Sequence, residues 1–220
     1  MTNAATRIQR KASTAAKTAK THLRSSEPAG SAVDGRTRRS VVTRKKIVEA
    51  LSGLICDGFL SPTAEQVAAR ADVGLRTVFR QFDDMETLYR EITPQIEQLL
   101  MPVIATPLTG SDWKSRLRES IRIRGSLYER LAAFQLASQA LRHQSAYLNE
   151  QLISGAALNR SALEHNLPPA LRNNVVALDA LDVATSIDVW IRLRREQGLS
   201  KDMALAVVQH IVAGLTAGTE

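Results

Sequence analysis

The residues best suited to chemistry in this chain lie between Thr63 and Gln81. Leu75, Arg76, Thr77, Phe79, Arg80 and Gln81 fall on the outward side of a short predicted helix, about 75–82, whose inward positions, Val78 and Phe82, are spaced i, i+4. An arginine can hold O6 and N7 of guanine with two hydrogen bonds. A glutamine can do the same for adenine, and a leucine can pack on the methyl of thymine. A short helix joined to another by a turn of three or four residues fits the major groove, about 12 Å wide. The set therefore points to double-stranded DNA. The plain alternative is a helical hairpin with solvated charges. Arg38, Arg39, Arg44, Lys45 and Lys46 just upstream weigh against it, because they put positive charge beside the same segment.

No comparable set supports catalysis. His22, His143, His165 and His210 are scattered, with no i, i+4 pair and no metal-ligand spacing, and there is no glycine-rich phosphate loop. No metal and no cofactor is expected, and the chain does not read as an enzyme. Cys56, the one cysteine, sits among Leu54, Ile55 and Phe59 and is expected to be a small core thiol. Alone it makes neither an internal disulfide nor a cysteine metal site, so nothing requires an oxidising compartment. Asp179, Asp182 and Asp188 interrupt an apolar stretch, either as the solvated edge of an interface helix or as acids facing a ligand. Met101, Trp113, Phe134 and Tyr147 are the candidates to line a small-molecule cavity. Apolar residues at helical spacing are also ordinary core.

The charge is uneven. The 220 residues carry a formal net charge of +7, from 29 Lys and Arg against 22 Asp and Glu. Residues 1–46 hold 12 basic and two acidic side chains, a net of +10, and the remainder carries −3. A basic head on a slightly acidic body suits a polyanionic partner met at the N-terminal end. Residues 1–39 are rich in Ala, Thr, Ser, Lys and Arg, include the breaker stretch 28–31, and read as a flexible basic tail. That tail is either a plain solvated segment or an arm that meets phosphates without sequence preference. Its composition also suits a mitochondrial transit peptide, which the rest of the chain argues against. No run reaches the roughly 18 apolar residues of a membrane span, and the start has no secretory apolar core. A cytoplasmic protein with no membrane partner is expected.

The elements that position these residues are helical throughout, and no segment alternates with period two. Ile47, Leu51, Leu54, Ile55 and Phe59 form one apolar stripe of a first helix. Thr63 heads a capping box with Gln66, and Val67, Ala68 and Ala71 give the second helix its inner face. Asp72-Val73-Gly74 is the turn. Asp83, with Glu86, is expected to cap a fourth helix running toward Leu100 and bent at Pro94. Further helices are expected from Asp112 past Ile121, over about 126–142, over about 145–165, from Pro168-Pro169 to about Gln197, and from Ser200 onward. The fold class is all-α. A three-helix DNA-binding unit at 40–89 follows the tail, and a helical effector-binding and dimerisation region at 90–220 follows that unit.

Two segments carry a family resemblance. T-R-K-K-I-V-E-A-L-S-G-L-I-C-D-G-F (43–59) resembles the first helix of TetR-family transcriptional regulators. T-A-E-Q-V-A-A-R-A-D-V-G-L-R-T-V-F-R-Q-F-D-D-M-E-T-L-Y (63–89) resembles their helix-turn-helix and the start of their fourth helix. The stretch W-I-R-L-R-R-E-Q-G-L-S (190–200) is similar to the end of the family's eighth helix. The resemblance implies that Thr43 and Arg44 lie near phosphate and that Thr63 caps a helix whose N–H groups approach phosphate. It also implies that Leu75, Arg76 and Thr77 face the bases. Phe79 and Gln81 match positions that usually carry Tyr and His. Asp72 stands where Gly is usual, Gly74 where a capping Ser is usual, and Met85 where Lys is frequent.

The resemblance further implies a homodimeric, ligand-responsive regulator, a repressor on a near-palindromic operator, with a small-molecule effector of unnamed identity. Two rivals stand beside it: a constitutive DNA-binding protein without a ligand, and an all-α enzyme with a basic tail. The dimer is expected to form through helices at about 169–197 and 201–217. Val175, Leu178, Leu181, Val189 and Leu193 run along the first, and Leu205, Val208, Ile211 and Leu215 along the second. Such a dimer would present two reading helices about 34–36 Å apart to successive major grooves.

Overall fold

Short-range sequence signals start and stop most of the helices. The computed structural model describes residues 31–219, and the segment 1–30, with most of the expected tail, lies outside the described residues. The chain divides into a unit ending at Arg39 and one beginning at Ser40. In the first unit, residues 31–39 are helical, where a flexible tail was expected. Apart from the start of the first helix, all that follows concerns the second.

The elements are α1 (Ser31–Cys56), α2 (Ala64–Arg70), α3 (Leu75–Gln81), α4 (Met85–Arg90), α5 (Thr93–Ala105), α6 (Trp113–Leu141), α7 (Ala146–Asn166), α8 (Pro169–Arg172), α9 (Val175–Ala184), α10 (Ile187–Ile191), a π-helical stretch Arg192–Glu196, and α11 (Lys201–Leu215). There is no strand among the described residues.

At Thr63 the capping box forms in full. The Thr63 hydroxyl accepts the Gln66 N–H at 3.3 Å, and the Gln66 side chain accepts the Thr63 N–H at 2.9 Å. The end of α1 is set by Gly58, whose φ of 98° allows the Phe59 N–H to reach back to the Leu54 carbonyl at 3.0 Å. That turn ends the apolar stripe early. Cys56 and Phe59, expected inside, are both exposed. The end of α2 repeats the device with Asp72 at φ 53°, the Val73 N–H bonding the Ala68 carbonyl at 3.1 Å. Asp tolerates this left-handed position better than most residues, which is how the chain dispenses with the usual glycine.

Three expected boundaries change. Asp84, not Asp83, caps α4, accepting the Thr87 N–H at 2.7 Å. The helices expected on either side of Gly125 are one helix, α6. Gly125 stays inside it because the Trp190 ring lies where a Cβ would stand, 2.8 Å away. The single helix expected from Pro169 to Gln197 is broken. Asn174 caps a fresh start by accepting from Ala177, and Ser186 does so by accepting from Val189, after which the chain slips into the π-helical stretch. Apolar periodicity runs through these breaks, so it conceals them.

Two cores result. The first joins Ile47, Leu51 and Ile55 of α1 to Val67, Val78, Phe82 and Leu88, and it continues into Ala137, Leu141 and Leu148 of α6 and α7. The division expected near residue 90 is thus crossed by one continuous core. The second gathers Leu117, Ile121, Tyr128, Leu163, Leu181, Trp190 and Val208.

Candidate nucleic-acid interface

Helix α3 is held by its inner side and free on its outer one. Val78 and Phe82 are 2% exposed. Leu75 (37%) and Phe79 (49%) are open to solvent, with Arg76 and Arg80 beside them. Spacing i, i+4 makes two adjacent rows: Leu75 and Phe79 apolar, Arg76 and Arg80 cationic. Neither arginine pairs with an acid among the described residues. Thr77 is half-buried at the first turn, next to Gly74, which caps the helix without a side-chain hydrogen bond.

The structure binds two expected contact residues to the protein itself. Gln81 exchanges hydrogen bonds of 3.2 and 3.3 Å with the Ser40 hydroxyl. Arg44 donates to the Gln81 carbonyl, pairs with Glu91 at 2.7 Å and stacks over the Phe82 ring with 4.1 Å to its centroid. Its charge is compensated within the fold, and it ties α1 to the end of α3 and the junction after α4. Thr43 is half-buried, and Thr63 is exposed at the start of α2.

Helix α4 connects this unit to α7. The Ser145 hydroxyl, at the cap of α7, donates to Glu86 at 2.5 Å, and Arg90 donates to the same carboxylate at 2.7 Å. These two hydrogen bonds, Ser145 first, hold the Glu86 carboxyl below its ordinary range. Arg90 also lies over the Tyr147 ring at 4.0 Å, and the Tyr147 hydroxyl bonds Thr93. The Tyr89 hydroxyl, by contrast, is buried with no hydrogen-bond partner among the described residues, and burial pushes its phenol up to about 12.

The four cavity candidates are not brought together. Met101 is exposed and borders an open groove of about 620 Å³ along α5. Trp113 packs against the second core, and Phe134 and Tyr147 pack against the first. The flagged acids hold helices together. Asp179 pairs with Arg160 at 2.6 Å, Asp182 accepts from Asn159 at 2.7 Å, and Asp188 accepts from Gln139 at 2.6 Å.

Among the expected interface residues, Leu178, Leu181, Leu193 and Val208 are buried within one chain. The outward apolar residues are Val175, Val176 and Val183 on α9, with Met203 and Ile211 on α11. Sequence reasoning missed the cluster that explains the 190–200 motif. Trp190 Nε1 donates to Glu129 at 2.7 Å, and Arg194 donates to both carboxylate oxygens at 2.8 and 3.0 Å while also bonding the Leu199 carbonyl. Among the described residues no group of His, Cys, Asp or Glu is placed to hold a metal. No helix among them is long and apolar enough to cross a membrane.

No family model matches the chain, and no curated protein matches it. Solved structures do. A TetR-like transcriptional regulator from Rhodococcus sp. RHA1 is 14% identical, with a TM-score of 0.57 over 80% of this chain and 97% of that one. The TetR-like transcriptional regulator LfrR from Mycobacterium smegmatis is 20% identical, with a TM-score of 0.38 over 85% of this chain and 99% of that one.

Proposed function

On this TetR-like fold, we propose that the chain is a DNA-binding transcriptional regulator, a repressor acting as a homodimer on a near-palindromic operator, and not an enzyme. The observation that carries the reading is the outer face of α3. It offers two arginines unpaired among the described residues, beside two exposed apolar residues, on a helix fixed from behind by Val78 and Phe82. Such a face is complementary to base edges and phosphates of the major groove. Dimerisation through α9 and α11 is supported by the exposed Val175, Val176, Val183, Met203 and Ile211. A small-molecule effector would act through the links from α4 to α7, by preferring the state that does not fit DNA. The constitutive alternative has one observation in its favour. The recess bounded by Arg124, Tyr128, Thr185 and Trp190 has room for about one water, about 10 Å³.

The test is Arg76→Ala, read by fluorescence anisotropy on a selected site and on random duplex. A base contact predicts a loss of about 1–3 kcal/mol on the selected site with little change on random DNA. Equal losses on both make Arg76 a phosphate contact, and no loss on either rejects α3 as the reader.

A further inference from the structure

The outer face of α3 lacks the groups that read half of the bases. Bidentate recognition of adenine uses an amide, and the cytosine amino group is met by a carboxylate or, with a single bond, a hydroxyl. The one hydroxyl of α3, Thr77, is half-buried at its first turn. The face has no acid, and its one amide, Gln81, is half-buried and exchanges hydrogen bonds with Ser40. What remains free is a row of two arginines, Arg76 and Arg80, alongside a row of two apolar side chains, Leu75 and Phe79. Arginine matches guanine O6 and N7, and apolar groups match the C5 methyl of thymine. Phe79 has no hydroxyl to give a phosphate, so its contact with DNA is apolar.

Resting on the DNA-binding reading above, we propose that α3 reads guanines through Arg76 and Arg80 and pyrimidine C5 methyl groups through Leu75 and Phe79. The preferred half-site is then rich in G and T on the contacted strand. The seven residues of α3 span about 10 Å, roughly three base-pair rises, so these bases fall within one short block. The same apolar row accepts the methyl of 5-methylcytosine, which presents the same group at the same ring position.

The experiment uses the full chain. Bound duplexes are selected from a randomised pool, and the enriched site is resynthesised with each thymine of the block replaced by deoxyuridine, which removes the methyl alone. The expected result is a G/T block, with affinity falling about fourfold for each contacted methyl. In Leu75→Ala or Phe79→Ala that penalty disappears for the methyl each one touches. Both side chains are exposed, so the variants keep the fold. An enriched site in which no block of about three base pairs carries G and T along one strand overturns the proposal and leaves DNA binding standing. So does a deoxyuridine penalty that is absent, or one that is unchanged in both variants. Failure to enrich any sequence overturns the proposal together with the function it rests on.

Discussion

Arg44 is the sharpest place to test the structure against the resemblance, because the two assign it different partners. By resemblance it lies near phosphate. In the fold it binds the Gln81 carbonyl, Glu91 and the face of Phe82. Removing it as Arg44→Ala deletes three interactions. The ion pair is partly solvated, with side chains 35% and 41% exposed, and contributes under about 1 kcal/mol. The charged hydrogen bond to Gln81 contributes about 1.5 kcal/mol, the low end for a charged donor because the guanidinium is partly solvated, and the cation over Phe82 about 0.5–1 kcal/mol. The expected loss is about 2–3 kcal/mol, or roughly 4–12 °C in Tm for a chain of this size. Glu91→Gln keeps the shape and loses only the charge, so its cost is below about 1 kcal/mol. Differential scanning calorimetry measures both, and a salt titration of DNA affinity completes the assay. A residue that does not neutralise phosphate leaves the slope of log K against log salt unchanged on mutation. If Arg44→Ala keeps the wild-type Tm while the slope flattens by about 0.9 for each copy bound, the clamp is wrong and the arginine serves DNA.

Three further outcomes follow from packing. Gly125→Ala raises helix propensity by about 1 kcal/mol but sets a Cβ 2.8 Å from the rigid, buried Trp190 ring, so overpacking of about 1–3 kcal/mol wins. A denaturant midpoint at or above wild type refutes this. Tyr89→Phe removes a buried hydroxyl that has no partner among the described residues and is expected to leave stability unchanged or raised by about 1 kcal/mol. Because the folded phenol stays protonated to about 12 while the unfolded one ionises near 10, wild-type stability falls as pH rises above 10. The Phe variant loses less over that range, and an equal loss would place the effect elsewhere. Ile211→Glu, on the outward side of α11, is expected to give a folded monomer by light scattering and circular dichroism. Val208→Glu, in a position 4% exposed, is expected to unfold the chain by several kcal/mol. A folded dimer for Ile211→Glu would remove this face as the interface.

What was legible in the sequence depends on how far each signal reaches. Thr63 with Gln66, Asp112 and Ser200 were readable as caps because a cap is decided within three residues. Val78 and Phe82 were readable as the buried side of α3 by spacing alone, and the all-α class by helical periodicity, while the TetR-like arrangement came from the resemblance of residues 43–59 and 63–89. Gly125 misled because its local meaning, a weak helix, is overruled by Trp190 in a distant element. Phe59 misled because the stripe was extended past Gly58, where a positive φ turns the chain, and Cys56 because apolar neighbours in sequence do not share its side of α1, where it faces solvent. Arg44, Gln81 and the cavity candidates depended on partners tens of residues away, such as Glu91 and Ser40, and no local pattern encodes those distances. Val208 shows the same limit. Periodicity marks a residue as apolar-facing without saying whether its own chain or another covers it.

The way the first core is assembled bears on how a signal could reach α3. Leu88, Tyr89 and Ile92 share that core with Ala137, Leu141 and Leu148, so helices α1 to α4 are not packed independently of α6 and α7. The polar links run the same way: Glu86 to Ser145, and Arg90 to Tyr147. A hydrogen bond to a charged group contributes about 1.5–3 kcal/mol, the same size as the coupling energies that separate allosteric states. On the proposed function, a state in which the bond between Ser145 and Glu86 is broken differs from this one by enough free energy to change DNA affinity severalfold. The start of α7 is bonded directly to α4 through Ser145 and Tyr147, and α4 is joined to the far end of α3 through Phe82, Arg44 and Glu91.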